Sequence, residues 1–383
     1  MQVLTVDVGT GTQDIFLYDS QKSLENGYQL IMPSPTVRLA NRVKEATRQK
    51  RPLLLEGVLM GGGPVGWAVR DHALAGCAVY CLPDPARTFD DDPARVAEMG
   101  IRVIGEAEIK SLVGSHPDLE RVKLGDFDFG PVKAAFAAFG FELKPDALAV
   151  AVFDHGAAPP EISDRTFRFE FIAESLGQTN DLSVFAYPAD QIPPRLTRFE
   201  AVARTVQAQL PGLPVLLMDT GPAAALGTMD DPLVAQAVAE CAIVANLGNF
   251  HTLAFLFEQG QIRGTLEHHT GELRPEQLTG FLGKLAGGSL SNREIFDSQG
   301  HGAVYLAPPG RPPGLLAVTG PRRGMLRDQF VQLEFTRLAP YFAVPNGAMM
   351  LAGNYGLLKA LARHFPALPL NLDQSRRGLA LDW

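Results

Sequence analysis

The residues best equipped for chemistry stand at the start of the chain, in VDVGTGTQDIFL, Val6–Leu17. Asp7 closes an apolar run, and Gly9, Thr10, Gly11 and Thr12 follow before a second apolar run begins. A structural turn needs glycine but neither a carboxylate nor two hydroxyls. Glycines take φ > 0 and let the backbone approach a ligand closely. Successive N–H groups then form a nest for anionic oxygens, to which the threonine hydroxyls add donors. Asp7 supplies the hard oxygen that Mg²⁺ prefers, through metal-bound water. The pattern returns in ANLGNFHTLAFL, Ala245–Leu256, with Asn246 in the place of Asp7 and Gly248 in that of Gly9. Two such hairpins, each opening a β-rich unit, predict a duplicated fold. Its loops, Gly9–Thr12 and Gly248–Thr252 (Asn249, His251 and Thr252 included), would clamp phosphates from two sides.

Other segments offer competing chemistry. FDHG places Asp154 and His155 at a strand end, suited to act as an acid–base pair. Asp219 ends the strand PVLLM. In LLLEGVLMGGGPVGW, Gly61, Gly63 and Gly66 form G-x-G-x-x-G between a strand and a helix, and Asp84 closes the next strand. That is the setting of a dinucleotide-binding turn. The unit lies inside a lobe already opened by three strands, which favours a packed strand-to-helix turn. Cys77 and Cys81 give C-x₃-C, but Asp84 holds the third position of a C-x₃-C-x₂-C cluster motif and Cys241 is remote. An iron–sulfur cluster needs thiolates, so that chemistry is excluded. The eight histidines show neither H-x₃-H nor H-E-x-x-H spacing. His268 and His269 are adjacent on a strand and point to opposite faces. GFLGKLAGG departs from a phosphate-binding P-loop at Leu278 and Leu285.

The elements that must position these residues follow from periodicity. Strands are expected at Val3–Val8, Asp14–Asp19 and Tyr28–Met32, a helix at Thr36–Lys50, and then β-α-β units through ALAVAVFD. Residues 157–212, bracketed by AAPPE and QIPPR, read as an irregular insertion around two amphipathic stretches. Three strands are expected in AIVANLGNFHTLAFLFEQGQIRGTLEH, and a last helix at Gly347–His364. At 383 residues with 46% hydrophobic content, two α/β lobes are predicted, 1–230 and 231–383. The 34 basic and 42 acidic residues give −8 without long runs of either sign, which argues against nucleic acid as partner. No run of about 18 apolar residues and no secretory signal occur, so a cytoplasmic protein without membrane contact is expected. Oligomeric state is not legible.

DVGTGTQDIFLYD resembles the first phosphate motif of the superfamily of actin, sugar and acetate kinases and heat-shock chaperones. NLGNFHT is similar to its second phosphate motif and LLAVTGPRRGML to its adenosine motif. VLLMDTGPAAALG resembles the segment before the second phosphate motif of sugar kinases, and NGAMMLAGNYGLLKAL the helix connecting the lobes. The resemblance implies two ribonuclease H-like lobes with a nucleotide cleft between them, ATP and Mg²⁺ as cofactors, and phosphoryl transfer to a small molecule. On it Asp7 orients the metal, Gly320 and Arg322 border adenosine, and Asp219 stands near the base position, which itself is Gly221. Asn246 departs from the acid usual in the second motif. The whole chain, MGGGP and VFDHG included, resembles a family labelled "putative pyruvate formate-lyase activating enzyme". Two alternatives stay open: a nucleotide-gated ATPase module without small substrate, and an NAD(P)- or FAD-dependent oxidoreductase built on GGGPVG.

Overall fold

A computed structural model describes residues 1–159, 161–370 and 372. The chain opens with Gln2–Val8 (β1), Thr12–Asp19 (β2) and Tyr28–Pro33 (β3), an antiparallel meander. Strand β1 is buried from Val3 to Val8 because both its faces are covered. Leu4, Val6 and Val8 pack toward the helices Phe129–Ala138 and Thr197–Gln209, and Val3 toward the helix Ala352–His364.

A small parallel sheet follows: Leu53–Gly57 (β4), Val79–Cys81 (β5), Ile101–Val103 (β6) and Glu120–Leu124 (β7), in the order β6-β5-β4-β7. The helices Pro35–Arg48 and Gly63–Leu74 bury Leu39, Val43, Val65 and Val69 against it. Then come Ala147–Val152 (β8), Ala186–Pro188 (β9) and Val215–Asp219 (β10), which rejoin the first sheet as β3-β2-β1-β8-β10-β9. The stretch expected to be irregular, 157–212, holds two well-formed helices, Asp164–Gln178 and Thr197–Gln209. Ser163 caps the first of them by accepting the Thr166 N–H at 3.2 Å.

The second large sheet is built from Cys241–Leu247 (β11), His251–Glu258 (β12), Gln261–His269 (β13), Gly302–Tyr305 (β14) and Leu315–Thr319 (β15). After a short hairpin, Val331–Gln332 (β16) with Arg337–Leu338 (β17), Pro340–Phe342 (β18) completes it. Its order is β14-β13-β12-β11-β15-β18. Five strands of each large sheet therefore repeat one plan: an antiparallel three-strand meander, then two strands parallel to the first, as β3-β2-β1-β8-β10 and β13-β12-β11-β15-β18.

The last helix, Ala352–His364, follows the second sheet but packs on the first. Asn354 Nδ2 donates to Thr5 O at 3.0 Å and to Asp14 O at 2.9 Å. Glycines let this helix lie directly against Thr220–Thr228, since a Cβ on Gly356 would strike Ala223 O and one on Gly227 would strike Ala352 O. Among the described residues no helix is long and apolar enough to cross a membrane.

Candidate functional site

Three glycine loops converge on one cavity of about 860 Å³. The first joins β1 to β2 and the second joins β11 to β12, and each is closed by the same internal hydrogen bond. Gly9 N–H donates to Thr12 O and Gly248 N–H donates to His251 O, each at 2.9 Å. The two loops touch, for a Cβ on Gly11 would sit 2.7 Å from Asn249 Nδ2. Ser34, the cap of helix Pro35–Arg48, anchors the first loop through its hydroxyl, which donates to Thr10 O at 2.7 Å.

The third loop, Met60–Gly63, runs from β4 to the helix Gly63–Leu74 and lies against the first. Gly63 has φ +46°, and a Cβ there would meet Thr10 Cγ2 at 3.2 Å. Gly61 N–H donates to the Asp126 carboxylate at 3.2 Å, and Arg198 holds that carboxylate with two bonds of 2.7 and 2.8 Å. Thr36 hydroxyl donates to Gly62 O at 2.5 Å. GGGPVG and the paired phosphate-like loops, rivals in the sequence, thus share one cavity.

Behind the first loop two carboxyls oppose each other, because the hairpin register sets Asp7 across from Asp14. Burial, with Asp219 nearby, pushes Asp7 up to about 7 against the pull of the Thr220 hydroxyl, which donates to Asp7 Oδ1 at 2.6 Å. Burial and the Asp7 charge push Asp14 up to about 8. Asp14 Oδ1 is buried without a hydrogen-bond partner. This set of hard oxygens, one of them unmatched, suits a hydrated Mg²⁺. A Cβ on Gly353 would collide with Asp7 Oδ2, so only glycine admits the last helix here.

Asp219, Glu267 and Asp154 are committed to the scaffold. Asp219 caps the helix Thr220–Thr228, with Oδ1 accepting Gly221 N–H at 3.1 Å and Oδ2 accepting Arg168 at 2.6 Å. Arg168 is 1% exposed, forks onto Glu267 at 2.7 and 2.8 Å, and lies 3.6 Å over the Phe153 ring. The acid–base pair expected of Asp154 and His155 does not form. Asp154 accepts the N–H groups of Gly156, Arg198 and Phe199 at 2.8–3.0 Å, binding the start of helix Thr197–Gln209.

His155 instead joins His251, His269 and His301. Ring nitrogens of His155, His251 and His301 lie within 4.8 Å of one another. The His269 ring centroid is 4.6 Å from that of His301 and 5.0 Å from that of His251. Desolvation, then neighbouring imidazoles and the Arg168 charge, hold His251 and His301 below the ordinary histidine range. These rings are therefore neutral at pH 7.

Of the residues singled out in the sequence, Gly9, Thr10, Gly61, Gly63, Asp154, His155, Gly221, Asn246, Gly248, Asn249, His251 and His269 line the cavity, while Asp7, Gly11 and Asp219 lie behind its wall. Thr12 turns its hydroxyl to Asp14. Thr252 is buried against Thr270 at 3.0 Å. Gly320 and Arg322 stand behind Leu247, whose carbonyl accepts Arg322 N–H at 2.9 Å, outside the cavity wall. Arg168, Glu267 and His301 went unmarked, since each comes from a segment with no motif of its own, and His269 was noted only as the neighbour of His268 on a strand. Asp14 had a legible signal: a tight hairpin after Asp7 must place a residue opposite it.

The three cysteines do not make a ligand set. Cys81 lies in β5, Cys77 before it, and Cys241 opens β11 in another sheet. Burial pushes the Cys81 thiol up to about 12 and that of Cys241 to about 11. Thiols placed apart in this way do not supply the set of thiolates that an iron–sulfur cluster needs.

One family model, described as "Putative pyruvate format-lyase activating enzyme (DUF1786)", matches residues 60–325, more than half of the chain. No curated protein matches by sequence. Among solved structures the chain is similar to an inorganic polyphosphate/ATP-glucomannokinase from Arthrobacter sp. strain KM, at 14% identity and TM-score 0.34, over 95% of this chain and 99% of that one. It is similar to the type IV pilus biogenesis complex PilM–PilN, at 13% and 0.37, over 95% and 98%. It is also similar to the ethanolamine utilization protein EutJ from Carboxydothermus hydrogenoformans, at 12% and 0.31, over 94% and 89%. Likeness at these scores carries no functional weight.

Proposed function

The chain belongs to the family described as "Putative pyruvate format-lyase activating enzyme", and since its cysteines do not supply an iron–sulfur ligand set, we propose for it Mg²⁺-dependent ATP binding with phosphoryl transfer to a small molecule. The observation that carries this reading is the meeting of two equivalent glycine loops, Gly9–Thr12 and Gly248–His251, from two sheets of the same plan. On this reading the sheets are the cores of two ribonuclease H-like lobes, and the cavity is their nucleotide cleft. Loop amides, the Thr10 hydroxyl and the Asn249 amide would hold phosphates. Asp7, backed by Asp14, would hold Mg²⁺, which when bound supplies charge neutralisation. Phosphoryl transfer depends on positioning and neutralisation more than on a strong base, which accords with Asp219 and Asp154 being fully bonded. Their part is to fix the helices at the cavity edge.

A second reading has one observation in its favour. Strand order β6-β5-β4-β7 puts the Met60–Gly63 loop and Asp126 at the carboxyl ends of β4 and β7, where such sheets receive nucleotides. Thermal melting separates the two. ATP with Mg²⁺ at about 100 times its Kd should stabilise the fold by about 2.7 kcal/mol, while NAD(P) and FAD leave it unchanged. Asp7→Asn keeps an acceptor for Thr220 but should lose the Mg²⁺-dependent part of ATP affinity. A shift with NADH and none with ATP would overturn the assignment. Acceptor-independent ATP hydrolysis would favour the gated module.

A further inference from the structure

The proposed nucleotide site uses glycine loops and carboxylate oxygens, and the clustered imidazoles have no part in it. His155 lies just after β8, His251 heads β12, and His301 directly precedes β14. Their ligand nitrogens come within 4.8 Å of one another, the one group of three His, Cys, Asp or Glu with such spacing among the described residues. His301 is 1% exposed, yet neither ring nitrogen has a hydrogen-bond partner. His251 Nε2 is buried and equally unmatched. Folded chains rarely leave such groups without partners, because desolvating them is costly. A cation that accepts the lone pairs removes the cost.

We infer that His155, His251 and His301 form a binding site for a nitrogen-preferring divalent transition ion of the zinc class, set in the cavity wall beside the second glycine loop. Imidazole suits such ions, whereas Mg²⁺ stays with oxygen. Three histidines holding zinc at about 2.0–2.1 Å leave a coordination position open. A tetrahedral arrangement at that distance needs nitrogens roughly 3.4 Å apart, so the rings close by small side-chain rotations.

The surroundings are those of a held ligand set. Glu267 Oε2 stands 3.8 Å from His301 Nδ1 and is itself locked by Arg168. The His251 ring stacks on Phe153 at 3.7 Å and 7°. His269 Nδ1–H donates to Gln299 O at 2.8 Å, which leaves Nε2 as its lone pair beside the group. Such outer contacts orient ligands and set their tautomers. Because His155 and His251 line the cavity, the open position faces the space that the glycine loops enclose. An anionic oxygen of the molecule bound there is its natural occupant. A bound ion also takes the lone pair of His155, which removes that residue from proton transfer.

The test uses the full chain, stripped with a chelator, and Zn²⁺ or Co²⁺ alone without nucleotide, so its outcome is independent of the ATP assignment. One equivalent should bind and raise the melting temperature. His155→Ala and His301→Ala should each weaken affinity at least 10-fold, and His116→Ala, outside the cluster, should not. His155 is exposed, so its truncation remains informative even if His301→Ala fails to fold. The inference falls if folded wild type binds neither ion, if His155→Ala binds as wild type does, or if only Asp7→Asn loses the metal.

Discussion

Asp7 and Asp14 show how one pair of residues makes the fold sensitive to pH. Both folded values, about 7 and about 8, stand above the ordinary 3.8. A carboxyl raised in this way stabilises the fold fully below its unfolded value, and that stabilisation is lost as pH rises through the folded value. The folded state binds more protons than the unfolded chain between about pH 4 and pH 8, so stability falls across that window. Asp14→Asn, which keeps the shape and removes the charge, should flatten the fall and raise the melting temperature at pH 8. Calorimetry at stepped pH checks this, and a difference from wild type that is the same at every pH refutes it. Mg²⁺ should stabilise more at pH 8 than at pH 6, since it then finds ionised carboxylates.

Helix contacts decide which glycines the elements require. Gly356 and Gly280 both lie inside helices, Ala352–His364 and Pro275–Ala286, and sequence alone treats them as equal defects. Gly356 faces the Ala223 carbonyl with no room for a Cβ, while Gly280 has nothing within 4 Å. Gly356→Ala should therefore cost about 1–3 kcal/mol by overpacking. Gly280→Ala should stabilise by about 0.5–1 kcal/mol, the ordinary gain of alanine over glycine in a helix. Urea unfolding of both variants reads the signs, and equal signs defeat the argument. The contact matters beyond stability, because the same helix carries Gly353 and so sets Asp7 in place.

At the scale of the whole molecule, the small parallel sheet and the second large sheet meet across the cavity through an aromatic pair. Trp67, on the helix that follows the Met60–Gly63 loop, stacks on Phe250 of the second glycine loop at 5.5 Å and 28°. Trp67 is 57% exposed, so its emission responds to water entering or leaving that edge. A ligand that orders the loops should change tryptophan fluorescence, and Trp67→Phe should abolish the change. The other tryptophan, Trp383, lies outside the described residues. A response to ATP and Mg²⁺ that survives Trp67→Phe would show that this bridge does not sense the cavity.

What sequence determined about this protein is what short spacing can encode. Apolar runs around Gly9 and Gly248 specify two hairpins, and their repetition predicts the shared plan of the two large sheets. The glycines of MGGGP specify a strand-to-helix turn. The stretch 157–212 was harder, because its prolines and charges mask helices that depend on burying Phe169, Ile172, Phe199 and Val202 in cores made elsewhere. Tertiary structure alone decided how the loops combine, that Asp219 and Asp154 are spent on caps, and that Arg168 ties Asp219 to Glu267. It alone gathered His155, His251, His269 and His301. The physical reason is that backbone turns are set by neighbours along the chain, whereas ion pairs, ligand sets and altered proton affinities depend on distance and desolvation in space.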